Sequence, residues 1–157
     1  MEIDRNGLEV LSRSECLRLL ATATIGRIGI HADALPTILP VNFVSTERGI
    51  VVQTVVGSKL DAAMDHAVVA FEADRVDART HCGWSVVVTG VARPITDATE
   101  LAWARDLPLR HWVPVAGDRY ICISTELVSG RRVWVPSDRA LQLPLHHRDD
   151  QDHLHLL

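Results

Sequence analysis

Nineteen valines, many of them in adjacent pairs or triples, restrict this 157-residue chain more than any other sequence feature. β-branched side chains pack well on a pleated sheet and favour strands. Most of the valine-rich segments are separated by turns of hairpin length, which is too short for regular βαβ units. We therefore predict a mainly β fold, a barrel of six or seven strands with peripheral helices, since closing the sheet removes its free edges.

The predicted strands are short segments of alternating or β-branched residues: 26–30, 37–44, 50–56, 68–76, 84–92, 120–124 and 132–135. Helices are predicted where a capping residue precedes a helical pattern: about 13–23 after Ser12, a segment after Ser58, and a segment from Thr96 or Asp97 to about 106. Pro40 lies inside a predicted strand but cannot donate to a ladder, so it indicates an edge, a bulge or a gap that faces a ligand.

Length and composition predict one domain over residues 1–145, followed by a polar tail at 146–157. Sixteen basic and twenty acidic residues give a net charge of −4, which offers no reason to expect nucleic acid or an anionic membrane as a partner. No apolar run approaches the roughly 20 residues of a membrane helix. Three cysteines without CxxC spacing and an acidic start without an apolar leader favour a reducing, cytoplasmic location.

The common catalytic motifs are absent from the sequence. There is no GxGxxG after a strand, no GxxxxGK[ST] loop and no GxSxG elbow. The histidines near the C-terminus lie in a polar segment, and we interpret them as solvated residues rather than metal ligands. A hydrolase, a kinase or a zinc enzyme therefore has no support, and we expect no metal site.

One segment carries a candidate binding site. Strand 50–56 leads directly into Gly57-Ser58-Lys59 at the start of a predicted helix. Unpaired amides at a helix start attract anions, Gly57 permits close approach, Ser58 adds a hydroxyl and Lys59 adds a full positive charge. This combination suits a phosphate monoester. The alternative is that Ser58 only caps the helix and Lys59 is solvated.

Polar residues on the neighbouring strands extend this site. Asn42 shares a face with Ile38, Pro40 and Val44, and Thr54 shares a face with Ile50, Val52 and Val56. If those faces are buried, both polar groups need partners, and an amide can donate and accept at the edge of a flavin-like ring. A backbone-bonding Asn42 and a packed Thr54 are equally consistent with the pattern. Trp84, which precedes Ser85, is interpreted either as core packing or as a wall beside a flat ring.

Four motifs in this order resemble the pyridoxamine 5′-phosphate oxidase-like proteins, a flavin-binding split-barrel group, and especially its small actinobacterial-type members. The motifs are Pro-Val-Asn-Phe at 40–43, Gly-Ser-Lys-Leu at 57–60, Phe-Glu-Ala-Asp at 71–74 and Gly-Trp-Ser-Val-Val-Val-Thr-Gly at 83–90. The likeness covers about residues 9–136.

The resemblance implies a homodimer that holds FMN at the subunit interface and acts as an oxidoreductase on a small molecule. It implies these cofactor contacts: Val41 and Asn42 along the isoalloxazine ring, Thr54, Gly57, Ser58 and Lys59 at the ribityl chain and phosphate, and Trp84 and Ser85 from the partner or beside the substrate space. Relatives of this barrel also bind a deazaflavin coenzyme or haem, and some have no demonstrated activity.

Two departures from the family pattern bear on the reaction. The second basic residue that pyridoxamine-phosphate oxidases carry beside this lysine is replaced by Ser58, and the arginine-bearing C-terminal substrate segment is not found in 136–157. Oxidation of vitamin B6 is therefore not expected. The sequence leaves open whether the chain is an enzyme or a non-catalytic module for flavin, deazaflavin or haem, for which His31, His66, His81 and His111 are candidate haem ligands.

Overall fold

The computed structural model describes residues 2–32, 35–55, 57–109 and 119–133. Within these ranges the nine strands are β1 (Glu2–Ile3), β2 (Glu9–Val10), β3 (Ile25–Ala32), β4 (Leu35–Thr46), β5 (Gly49–Thr54), β6 (Val68–Asp77), β7 (Cys82–Pro94), β8 (Arg119–Ile123) and β9 (Leu127–Val133). The three helices are α1 (Arg13–Leu20), α2 (Lys59–Ala63) and α3 (Ala98–Arg105). The proposed tail at 146–157 lies outside the described residues.

Six of the strands close into a barrel. Hydrogen bonding runs in the order β3-β4-β5-β8-β7-β6 and returns from β6 to β3, and every pairing is antiparallel. β9, β2 and β1 extend the sheet outward from β7. The predicted mainly β barrel is confirmed. The strands β1 and β2 were not predicted, because two residues each are too short to show a periodic pattern.

β7 connects the barrel to its extension. Along one edge it pairs with β9 from Gly83 to Thr89 and with β8 from Ala92 to Pro94. Gly90 lies at the change of partner, and a Cβ at this position would collide with the carbonyl oxygen of Ser124. The close approach of the two backbones therefore requires glycine at this point.

The barrel interior is filled by apolar side chains. Phe71 is fully buried and packs edge to face on Phe43, with ring centroids 4.7 Å apart. The valines that alternate along β7 divide between the two sides, with Val86 and Val88 fully buried and Val87 exposed. A barrel of this size has no lumen for a ligand, so a ligand site must lie at an opening or on the outside.

Capping at two of the helices follows the prediction, but one helix end does not. Ser12 accepts a hydrogen bond from the amide of Glu15, and Asp97 accepts one from the amide of Glu100. α1 ends at Leu20 rather than near residue 23, and the Thr22 hydroxyl donates to the Leu19 carbonyl at 2.7 Å. Threonine side chains that bond nearby carbonyls compete with helix continuation.

Within the described ranges the longest helices, α1 and α3, have eight residues each, and none meets the length and hydropathy that a membrane crossing requires.

Glu15 is expected to contribute to stability against acid. Hydrogen bonds from Arg18 and Arg132 hold the pKa of this half-buried carboxyl at about 2, below its ordinary value of 4.5. A lowered folded-state pKa stabilises the fold above the unfolded value, and this stabilisation is lost as pH falls from about 4.5 to about 2. Glu15→Gln should therefore be less stable than the native chain at pH 6, and the two should converge near pH 2. Urea midpoints across this range test the expectation, with Glu126→Gln as an exposed control. If the urea midpoints of the native chain and Glu15→Gln differed by the same amount at every pH, the expectation would be contradicted.

Candidate functional site

The barrel is split between β4 and β5. The β4–β5 ladder ends at the pair Phe43–Val52. Beyond this pair, β4 continues alongside β3, whereas β5 continues alongside β8 as far as the pair Thr54–Arg119. Pro40 lies in the part of β4 that borders the split, where β4 pairs with β3 but not with β5, so of the three alternatives the structure shows an edge. A cleft of about 200 Å³ lies at this place, lined by Ile25, Pro40, Val41 and Asn42.

The two strands differ in which face carries their polar residue. Thr54 is buried, and its hydroxyl shares a hydrogen bond of 3.0 Å with that of Ser58, as the prediction of a buried, partnered polar group requires. The face of β4 that carries Asn42 lies on the outside of the barrel, where Ile38 is 72% exposed. The condition that the Asn42 face of β4 is buried is therefore not met in the single chain. Asn42 is half-buried and borders the cleft.

The turn from β5 to α2 has the predicted local geometry. Gly57 adopts a left-handed φ of +76°, and the space beside its Cα is open. Ser58 caps α2 by accepting a hydrogen bond from the amide of Asp61 at 3.0 Å. The turn therefore places the Thr54 and Ser58 hydroxyls together beside an open backbone, with Lys59 as the first residue of α2.

The backbone of this turn attracts an anion less than the sequence predicts. α2 has five residues, so its dipole is too short to contribute much to anion binding. The amide of Gly57 donates to Oδ2 of Asp61 at 2.9 Å and is already engaged. Any affinity of this turn for an anion must therefore come mainly from side chains rather than from helix amides.

An ion pair that the sequence pattern does not reveal lies beside the turn. Nε of Arg119 donates to Oδ1 of Asp61 at 2.9 Å, with 31% of the Arg119 side chain and 10% of the Asp61 side chain exposed. Arg119 lies opposite Thr54 across the β5–β8 ladder. Asp61 and Arg119 are 58 positions apart in the chain, so only the strand pairing brings them together. Arg119 supplies a basic group near the turn, where the sequence offered none beside Lys59.

Trp84 and Ser85 lie elsewhere in the sheet. Both belong to β7, and β6 and β3 separate β7 from β4. Three strand spacings, on the order of 14 Å, thus lie between Ser85 and Asn42. Trp84 is half-buried and packs against the barrel core, in agreement with its packing interpretation. One chain therefore does not bring these two residues to the cleft.

The outer face of β3, β4, β6, β7 and β9 carries an apolar patch beside an ion-paired cluster of Arg27 with Glu72 and Asp74. Ile38, Val68 and Leu127 are each 68–72% exposed there. Gly29 and Ala70 lie opposite each other and form the floor of a groove of about 570 Å³ that Ile38 and Val68 flank. We call this surface the apolar outer face.

The candidate haem ligands lie at separate places. His31 borders the groove of the apolar outer face, His66 lies in the turn after α2 beside Asp65, and His81 lies in the turn between β6 and β7. His111 lies outside the described residues. In the described part of the chain, no three His, Cys, Asp or Glu side chains are grouped as a metal site would need.

A closed six-stranded antiparallel barrel that opens between two strands defines a split β-barrel protein. The family model described as "Pyridoxamine 5′-phosphate oxidase" matches residues 12–132, and the chain belongs to this family. "Uncharacterized protein Rv0080" of Mycobacterium tuberculosis is 38% identical over 128 residues, which cover 78% of this chain and 84% of that protein.

Solved structures share the fold. A protein from Mycobacterium smegmatis described as an FAD binding protein is 36% identical with a TM-score of 0.68, covering 78% of this chain and 96% of that chain. A Corynebacterium diphtheriae protein of unknown function, DIP1874, is 31% identical with a TM-score of 0.66, covering 82% of this chain and 98% of that chain. The family resemblance that the four sequence motifs indicated is therefore confirmed.

Proposed function

We propose that the protein binds a phosphorylated flavin, FMN in the first instance, and serves redox chemistry on a small molecule. The observation that carries this proposal is the split between β4 and β5. The cleft beside Asn42 lies on one side of it, and the hydroxyls of Thr54 and Ser58 lie on the continuation of β5 on the other side. The similarity to an FAD binding protein at 36% identity supports a flavin as the ligand.

The residues at the split fit the chemistry of such a ligand. Asn42 and Val41 offer an amide and an apolar surface to a flat ring, and the open turn at Gly57 gives a phosphate access to the Ser58 hydroxyl. A bound flavin would supply the electron and hydride chemistry, so the protein needs no side-chain nucleophile. Its own residues orient the ring, hold the phosphate and limit the access of water.

We propose further that two copies of the chain pair through the apolar outer face. Exposed apolar side chains grouped around a groove and bordered by charged residues are typical of an interface. A two-fold pairing would seat Ile38 of each copy against the groove of the other, since in such an interface the same patch serves both subunits. Ser85, which shares the outward face of β7 with Val87, would then approach the cleft of the opposite copy, with Trp84 packed beneath it in its own barrel.

The substrate is proposed to be a small molecule other than pyridoxamine phosphate. The arginine-bearing substrate segment of true pyridoxamine-phosphate oxidases was not found in 136–157, which lies outside the described residues. Activity with pyridoxamine phosphate in the flavin-loaded protein would contradict this part of the proposal.

The proposal is tested by denaturing the purified protein and identifying any released chromophore by absorption and mass. We expect FMN, or binding of FMN by the colourless protein with a dissociation constant in the micromolar range or below, at which about 8 kcal/mol of binding energy is available. FAD, a deazaflavin or haem in its place would identify the alternative ligand. A protein that carries and binds none of them would refute the proposal and favour a non-enzymatic dimeric scaffold.

Lys59→Ala is expected to weaken FMN binding. A hydrogen bond to a charged group contributes about 1.5–3 kcal/mol, which corresponds to a ten- to hundredfold change in dissociation constant. A fluorescence titration of the apoprotein with FMN measures the change. Arg79→Ala, which removes an equal charge from the turn between β6 and β7, is the control and should leave the affinity within twofold. Equal affinities for Lys59→Ala and the native protein would remove Lys59 from the site.

A further inference from the structure

Asp61 connects the turn before α2 to β8. One carboxylate oxygen accepts the amide of Gly57 and the other accepts Nε of Arg119, each at 2.9 Å. The amide of Asp61 itself donates to the Ser58 hydroxyl, which shares a hydrogen bond with Thr54. Four polar residues and the amide of Gly57, contributed by β5, the turn, α2 and β8, therefore form one continuous network on the β5 side of the split.

The burial of Asp61 is informative because an ionised carboxylate is costly to bury without a partner. Its side chain is 10% exposed, whereas that of Arg119 is 31% exposed. The Arg119 contact uses the Nε–H donor, one of the five N–H donors of a guanidinium. A planar guanidinium fixed at one donor loses less freedom when another donor meets an anion, so the ion pair prepares Arg119 for a second contact.

We propose that Arg119 binds the phosphate of the ligand and that Asp61 is the residue that positions it. The inference rests on the proposed function, because the phosphate is that of the flavin. The pattern of charge supports it: the turn lacks a second basic residue in sequence, and β8 supplies one opposite Thr54. Asp61 acts through Arg119 and does not itself contact the phosphate, since two like charges would repel.

The two residues should respond differently to substitution. Arg119→Gln removes the cation and leaves the Asp61 carboxylate without its ion-pair partner beside the phosphate, so its effect combines lost attraction with added repulsion. Asp61→Asn keeps an acceptor for the Gly57 amide and removes a negative charge, but it releases the orientation of Arg119. Its effect should therefore be smaller, and it should disappear when Arg119 is already absent.

The experiment compares FMN with riboflavin, which has the same ring and lacks the phosphate. Apoprotein titrations are made for the native chain, Arg119→Gln, Asp61→Asn and the double variant. We expect Arg119→Gln to weaken FMN binding by roughly ten- to a hundredfold and riboflavin binding by less than twofold. Asp61→Asn should weaken FMN binding several-fold, and the double variant should match Arg119→Gln. Arg119→Lys, which keeps the charge, should fall between the native chain and Arg119→Gln.

Each other outcome overturns a defined part. Equal losses for FMN and riboflavin would show that Asp61 and Arg119 only maintain the fold, and thermal melting of each variant checks this directly. Additive effects in the double variant would show that Asp61 does not act through Arg119, and unchanged FMN affinity in Arg119→Gln would remove Arg119 from the site. A native protein that binds neither flavin would refute the proposed function itself, whereas flavin binding unaffected by these variants refutes only the present inference.

Discussion

Replacing Phe71 with alanine is expected to lower the free energy of unfolding by about 3–5 kcal/mol, a large part of the stability of a domain of this size. Phe71 is fully buried, its ring packs on Phe43, and a Cβ on Gly26 would collide with it. The barrel wall at Gly26 therefore closes directly onto the ring. Neighbouring strands held by hydrogen bonds cannot collapse into the space that alanine would leave. Urea denaturation followed by circular dichroism measures the loss.

Two comparisons make the Phe71 result interpretable. Val76→Ala lies on the same strand but is 64% exposed, so it should change stability by less than about 0.5 kcal/mol. Phe71→Leu retains most of the apolar volume and should be intermediate. If Phe71→Ala were no more costly than Val76→Ala, the ring would not occupy the centre of the barrel.

Ile38→Asp is expected to convert the proposed dimer to a monomer. Ile38 is 72% exposed on the apolar outer face, and a two-fold interface would contain it twice. Losing the burial of isoleucine costs about 1.5–3 kcal/mol at each of the two positions, which corresponds to a hundredfold or greater loss in dimer affinity. Sedimentation over a range of protein concentrations measures the change. Ile3→Asp, on β1 at the far edge of the sheet, is the control and should remain dimeric.

Ile38→Asp also tests whether flavin binding depends on the dimer. If the flavin lies between two copies, Ile38→Asp should lose flavin together with the dimer. A monomeric variant that retains its flavin affinity would place the whole ligand site within one chain. A native protein that is monomeric at all concentrations would refute the pairing and leave the apolar outer face for another partner.

The fold could be predicted because its signal is local. Alternating β-branched residues and short turns are visible in a few consecutive positions, and they identify most strands of the barrel. Which face of a strand points inward depends on its neighbours, since alternation shows only which residues share a face. Asn42 illustrates this limit, because its strand turns that face outward. β1 and β2 were missed because each has only two residues, and β2 is tied to the sheet by its pairing with the distant β9.

In the site, too, the local features could be predicted and the long-range contacts could not. The cap of Ser58 on Asp61 and the left-handed turn at Gly57 follow from four or five adjacent residues. The ion pair of Asp61 with Arg119 depends on the pairing of β5 with β8, which joins distant parts of the chain. Side-chain networks of this kind are formed by topology, so the sequence pattern contained the residues but not their association.

Because β7 pairs with both β8 and β9, it affects how the protein unfolds. This strand forms one wall of the barrel and also carries the extension through β9. In the described part of the chain the extension pairs with the barrel only through β7, so it should not remain folded once β7 has left the barrel. Cleavage of the backbone at Gly90 would expose two unpaired strand edges at once and favour aggregation, whereas cleavage in a loop would leave the strands paired.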